Sequence, residues 1–82
     1  MKQKALIEVE PVEFYVSTFA LQPSVELEKI DANLKYDEDH LARKKMTIET
    51  EARFERVTRM REAISIILRD REVIFRVANS KA

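Results

Sequence analysis

Apolar residues change their spacing along this chain at about residue 56, and the two spacings predict different elements. Before that point they recur at every second position, the period of a strand with one covered face. Ile30, Ala32, Leu34 and Tyr36 alternate with Lys29, Asp31, Asn33 and Lys35, and Met46, Ile48, Thr50, Ala52 and Phe54 alternate with Lys45, Thr47, Glu49, Glu51, Arg53 and Glu55. Separated by the polar segment Asp37-Glu38-Asp39-His40, the two runs read as an antiparallel hairpin. Upstream, Leu6 to Glu10 and Val12 to Leu21 are β-prone, with Pro11 marking an edge or bulge and Gln22-Pro23-Ser24 closing the second run. On a strand, Val12, Phe14, Val16, Thr18 and Ala20 share one face, while Tyr15, Phe19 and Leu21 take the other. Both faces are partly apolar, which predicts cover by the domain's own helix on one side and by another subunit on the other.

From Val57 the spacing becomes three and four: Val57, Met60, Ile64, Ile67, Leu68, Ile74, Phe75 and Ala78 fall on one arc of an amphipathic helix. Ile66, Val73 and Val77 lie nearly opposite them, a second apolar stripe for which so short a chain offers no further partner, so a second subunit is expected to cover it. Arg71 stands in the middle of the main arc, placed to snorkel from its edge or to meet a carboxylate across an interface. Two competing readings remain open. Thr47 is placed to cap a helix over 47–56 with Glu49 and Glu51 in its first turn, and a break near Arg69-Asp70-Arg71 would turn Glu72 to Ala78 into a strand. The preferred architecture is a single α+β domain over residues 1–82. It has an antiparallel sheet of three to four strands (about 5–21, 25–36 and 44–55) packed by a C-terminal amphipathic helix (about 57–78).

Length makes the core of such a domain thin, because a chain of 82 residues hides only about 60–65% of its unfolded surface. Cysteine is absent and histidine occurs once, which removes disulfides and thiolate metal sites as remedies and leaves self-association. Glycine is absent too, although ordinary usage of about 7% would give roughly six. Phosphate-cradling loops, dinucleotide fingerprints and calcium loops all need it for tight turns or close backbone approach. Asp37-Glu38-Asp39-His40 resembles a metal site only in composition, since the sixth and twelfth positions counted from Asp37 hold Ala42 and Ile48, where a calcium loop wants glycine and glutamate. His40 has no nucleophile placed with it, and Glu49, Glu51 and Glu55 read as solubilising charge. No catalytic, cofactor or metal residue is therefore expected, nor a small-molecule substrate. Without a signal-peptide core or a run of membrane-spanning length, the expected setting is soluble and cytoplasmic, with no membrane partner.

Charge is unevenly spread behind a net value of zero. Residues 1–40 hold four Lys/Arg against nine Asp/Glu, a net of −5, whereas residues 41–82 hold eleven against six, a net of +5. The basic half is rich in arginine, whose guanidinium suits bidentate contacts to phosphate or carboxylate. Glu55 with Arg59 and Glu72 with Arg76 stand at the helical spacing that favours pairing. These patterns predict a non-enzymatic assembly module, adaptor or chaperone-like, that acts as a homo-oligomer through Tyr15, Phe19, Leu21, Ile66, Val73 and Val77. Arg43, Lys44, Lys45, Arg53, Arg59 and Arg76 are the candidate contacts to an anionic partner, most simply a protein, with nucleic acid as the alternative. A hairpin-rich sheet followed by an amphipathic helix resembles, in outline, oligomeric export chaperones of the SecB type; many small domains share that outline, so no residue role is carried over.

Overall fold

The computed structural model describes residues 9–80, with side chains described as far as Ala78. It contains three helices, α1 (Val12–Phe19), α2 (Ser24–Ala42) and α3 (Ile48–Ser80), and no strand among the described residues. The expected α+β fold is thereby overturned. The segment 25–36 belongs to α2, most of 12–21 to α1, and 44–55 to the α2–α3 connection and the start of α3. The strand proposed for Leu6 to Glu10 lies outside the described residues except for Val9 and Glu10, which join no ladder. The expected helix over about 57–78 falls inside α3, which begins earlier and runs through 72–78 without a break. With the sheet gone, the outline that resembled export chaperones is gone as well.

The physical reason lies in how each helix starts. Pro11 and Pro23 do not punctuate a sheet; both sit in extended conformation immediately before a helix, with φ −70° and ψ 163° for Pro11 and φ −65° and ψ 153° for Pro23. Their carbonyls accept the first free amides, from Phe14 in α1 and from Glu26 and Leu27 in α2, each at 3.0 Å. Glu13 and Glu26 add negative charge to the two first turns, where the helix dipole favours it. At α3 the Thr47 hydroxyl accepts from the Thr50 amide at 3.1 Å and the Thr47 carbonyl accepts from the Glu51 amide at 2.8 Å, with Glu49 and Glu51 in the first turn. From Ser24 onward neither proline nor glycine interrupts a stretch rich in strong helix formers. No described residue has positive φ, so the 43–47 connection reverses the chain without the left-handed residue that a tight hairpin demands.

Helix α3 is the spine, and the two shorter helices lie along it. Arg59 donates to the Val9 and Glu10 carbonyls at 3.0 and 2.9 Å, next to the start of α1. Arg71 donates to the Ala20 and Gln22 carbonyls at 2.9 and 2.8 Å, just past its end. Those anchors make α1 parallel to α3. Helix α2 runs antiparallel, with Ser24 at its start bonded to Arg71 at 2.8 Å and Glu38 near its end accepting from the Thr58 hydroxyl at 2.8 Å.

Where the three meet, Leu27 (0% exposed), Ile64 (1%) and Ile67 form the core, with Val16, Phe19, Ile30, Leu34 and Leu68 packed against it. The helical spacing of Leu27, Ile30, Leu34 and Leu41 wins over the period-two pattern, and Ala32 and Tyr36 from that pattern point to water. A polar seam runs beside the core. The Arg61 Nε donates to Asp31 at 3.0 Å and its Nη1 to Glu38 at 2.7 Å. The bond to Asp31, and after it the one to Glu38, holds the guanidinium above its ordinary pKa. A cation raised in this way contributes stability at every pH below the ordinary arginine value and loses it only as pH climbs through the folded one.

With 33 residues, α3 is about 50 Å long. The radius of gyration is accordingly 16.0 Å, against about 12 Å for a compact domain of this length. Among the described residues no helix is long and apolar enough to cross a membrane. Because Leu27 is the α2 side chain most completely enclosed, Leu27→Ala is expected to cost about 3 kcal/mol in urea unfolding. Lys35→Ala on the exposed side of the same helix should cost less than about 0.5 kcal/mol; equal effects would show that α2 is not held through this contact.

Candidate interaction surfaces

Two surfaces stand at opposite ends of α3, one apolar and one basic. The apolar one begins where cover runs out. Ala63, Ile64 and Ile67 are buried under α1 and α2, and the same arc of α3 continues through Arg71 to Ile74, Phe75 and Ala78. Helix α1 ends and α2 begins level with Arg71, so Ile74 is 68% exposed and Phe75 65%. Val73 and Val77 are each about half exposed, and Leu21 and Val25, in and just after the α1–α2 turn, add 94% and 60% exposed side chains at the same end. A shallow cavity lined by Ser24, Glu28, Leu68, Arg71, Glu72 and Phe75 marks the step from covered to uncovered helix.

Arg71 itself neither snorkels nor meets a carboxylate. Its guanidinium gathers the Ala20 and Gln22 carbonyls and the Ser24 hydroxyl, satisfying groups that the end of one helix and the start of the next leave open.

The six residues expected at a subunit contact are therefore divided by the structure. Tyr15 is 5% exposed, with its ring edge-to-face against Phe14 at 5.3 Å. Phe19 packs on the core and Ile66 is half-buried. Strand parity had placed Tyr15 and Phe19 outward with Leu21, whereas helical phase turns the two aromatic rings inward and leaves only Leu21 in water. Leu21, Val73 and Val77 are exposed at the same end of the bundle, Leu21 in the turn that Arg71 holds and the two valines round the other side of α3. Ile74, Phe75 and Val25 were missed there, because the main arc was expected to be covered along its whole length. Arg71 was the available signal: a charge within an apolar arc marks the level at which packing ends.

At the other end, α2, the connection after it and α3 border an open cavity of about 350 Å³ lined by Asp37, His40, Leu41, Lys44, Arg53, Arg56 and Val57. Asp37-Glu38-Asp39-His40, expected to be a loop, is the last part of α2: Asp37 and His40 face the cavity, while Glu38 turns to Thr58 and Arg61. Among the described residues no group of three or more histidine, cysteine or acidic side chains is arranged to hold a metal ion. Of the expected anion contacts, Arg43, Lys44 and Lys45 lie in or beside the connection and Arg53 faces the cavity. None of these four makes an ion pair among the described residues, and the same is true of Arg56, which sequence reasoning passed over. Arg59 is already engaged by Glu55 and by two carbonyls, and Arg76 pairs with Glu72 at 2.8 Å at the far end of the helix.

No protein-family model, curated protein or solved structure matches the chain. Replacing Arg71 by alanine should cost about 1–3 kcal/mol, since three acceptors lose a charged donor. Amide exchange should accelerate in the 20–27 segment while the middle of α3 keeps its protection; unchanged exchange there would remove Arg71 from its role as the clamp.

Proposed function

We propose that this chain is a non-enzymatic assembly module of the cytoplasm that works as a homo-oligomer and presents its remaining surface to a protein partner. The observation that carries the reading is the apolar arc of α3, buried at Ile64 and Ile67 and continuing uncovered through Ile74 and Phe75. A helical turn held in water with large apolar groups on several sides gains by meeting another such surface. A second copy is the simplest occupant, because a two-fold contact needs one self-complementary patch and each copy carries the layer that the other lacks. Leu21 and Val25 widen the contact beyond a single helix face. The non-catalytic part of the reading rests on composition, a chain without cysteine or glycine and with one histidine.

Multi-angle light scattering or sedimentation across the micromolar range tests the reading. The mass should rise with concentration toward a multiple of 9.7 kDa, and the melting temperature should rise with it. Ile74→Glu with Phe75→Glu should give a monomer with unchanged helical circular dichroism, because neither side chain supports the core of a lone copy. A concentration-independent monomer for the unaltered chain would overturn the proposal.

A further inference from the structure

We infer that the α2–α3 end binds single-stranded nucleic acid, with phosphate oxygens held between Lys44, Arg53 and Arg56 and a base against the ring of Tyr36. Three observations meet at this place. Lys44 comes from the connection after α2, while Arg53 and Arg56 stand on one side of α3, so cations from two elements converge on one cavity. Elsewhere on α3, Arg59, Arg61 and Arg76 are paired with carboxylates and Arg71 is engaged by carbonyls and a hydroxyl. Lys44, Arg53 and Arg56 make no ion pair among the described residues and, unlike the isolated Arg69, stand together. Arg43 and Lys45 flank Lys44 and extend the positive surface beyond the cavity, which suits a chain of phosphates better than a single ion.

The third observation is aromatic. Tyr36 is 72% exposed and its ring lies parallel to that of His40, one of the cavity-lining residues, with centroids 6.3 Å apart and planes within 7°. A flat exposed ring beside a cationic groove is how single strands are held without sequence preference, bases stacking while phosphates follow the positive charge. A duplex would keep its bases stacked on one another and leave that ring unused. Carboxylates temper the site: Asp37 lines the cavity and Glu49 stands one helical turn before Arg53, while Glu51 and Glu55 fall on the opposite side of α3. With the whole chain neutral, attraction is local to this end and strongly screened by salt. The site lies roughly 30 Å along α3 from the apolar end, so it does not depend on self-association.

Fluorescence anisotropy with labelled single-stranded and duplex oligonucleotides of mixed sequence, read across a salt series, tests the inference. The single strand should bind at low salt with a logarithmic salt slope of about −2, as expected for three phosphates at roughly 0.7 each. Arg53→Glu and Arg56→Glu should each weaken binding by at least about tenfold. Tyr36→Ala should weaken it by about fivefold or more through lost stacking. Arg69→Glu, an exposed arginine at the far end, should leave affinity unchanged. If an Arg53 or Arg56 variant loses its helical spectrum, Lys44→Glu, outside any helix, carries the same expectation. Absence of low-salt binding, an equal loss from Arg69→Glu, or a duplex binding as well as the strand would each overturn the inference.

Discussion

A long helix with one apolar arc must be covered by two shorter ones, and the contact of Leu27 with Ile64 and Ile67 is where that cover is secured. Around it, α1 adds Val16 and Phe19, and Arg59 and Arg71 fix its two ends to the spine. Length is the governing constraint. Eight residues of α1 and nineteen of α2 cannot enclose thirty-three of α3, because α1 and α2 turn back on each other at the level of Arg71. The core, the projecting apolar end and the elongated shape are three results of this one mismatch.

Between the two ends, electrostatics follow the same hairpin. The acidic excess of the first half and the basic excess of the second partly cancel across α2 and α3, where Arg61 sits between Asp31 and Glu38. Cancellation stops at the connection, since Arg43, Lys44 and Lys45 belong to neither paired helix face. The cations left over are thus a product of topology as much as of composition.

How much of this was legible in the sequence depended on which of two coincident patterns was followed. Residues 29–36 alternate cleanly, yet Leu27, Ile30, Leu34 and Leu41 in the same region also keep helical spacing. Local turn chemistry decides between them: without a glycine the sheet had no tight hairpin turn, and Pro11 and Pro23, each followed closely by a glutamate, are helix-start signals. The start of α3 was readable from Thr47 and its two glutamates, and the pairings of Arg59 with Glu55 and Arg76 with Glu72 from their spacing. Exposure of Ile74 and Phe75 was not readable, because it depends on where α1 and α2 stop, a tertiary fact. The Tyr36–His40 stack was hidden by the same error, since a strand puts residues four apart too far away to stack.

Two of the three acceptors that Arg71 gathers are main-chain carbonyls, which every amino acid supplies. The turn at Ala20, Leu21 and Gln22 is consequently recognised by shape and not by side-chain identity. Divergent versions of this chain could vary those three letters widely and still close the bundle, whereas position 71 admits few alternatives. Tolerance to change would be lopsided across one and the same contact, and no correlated drift between its two sides would betray it.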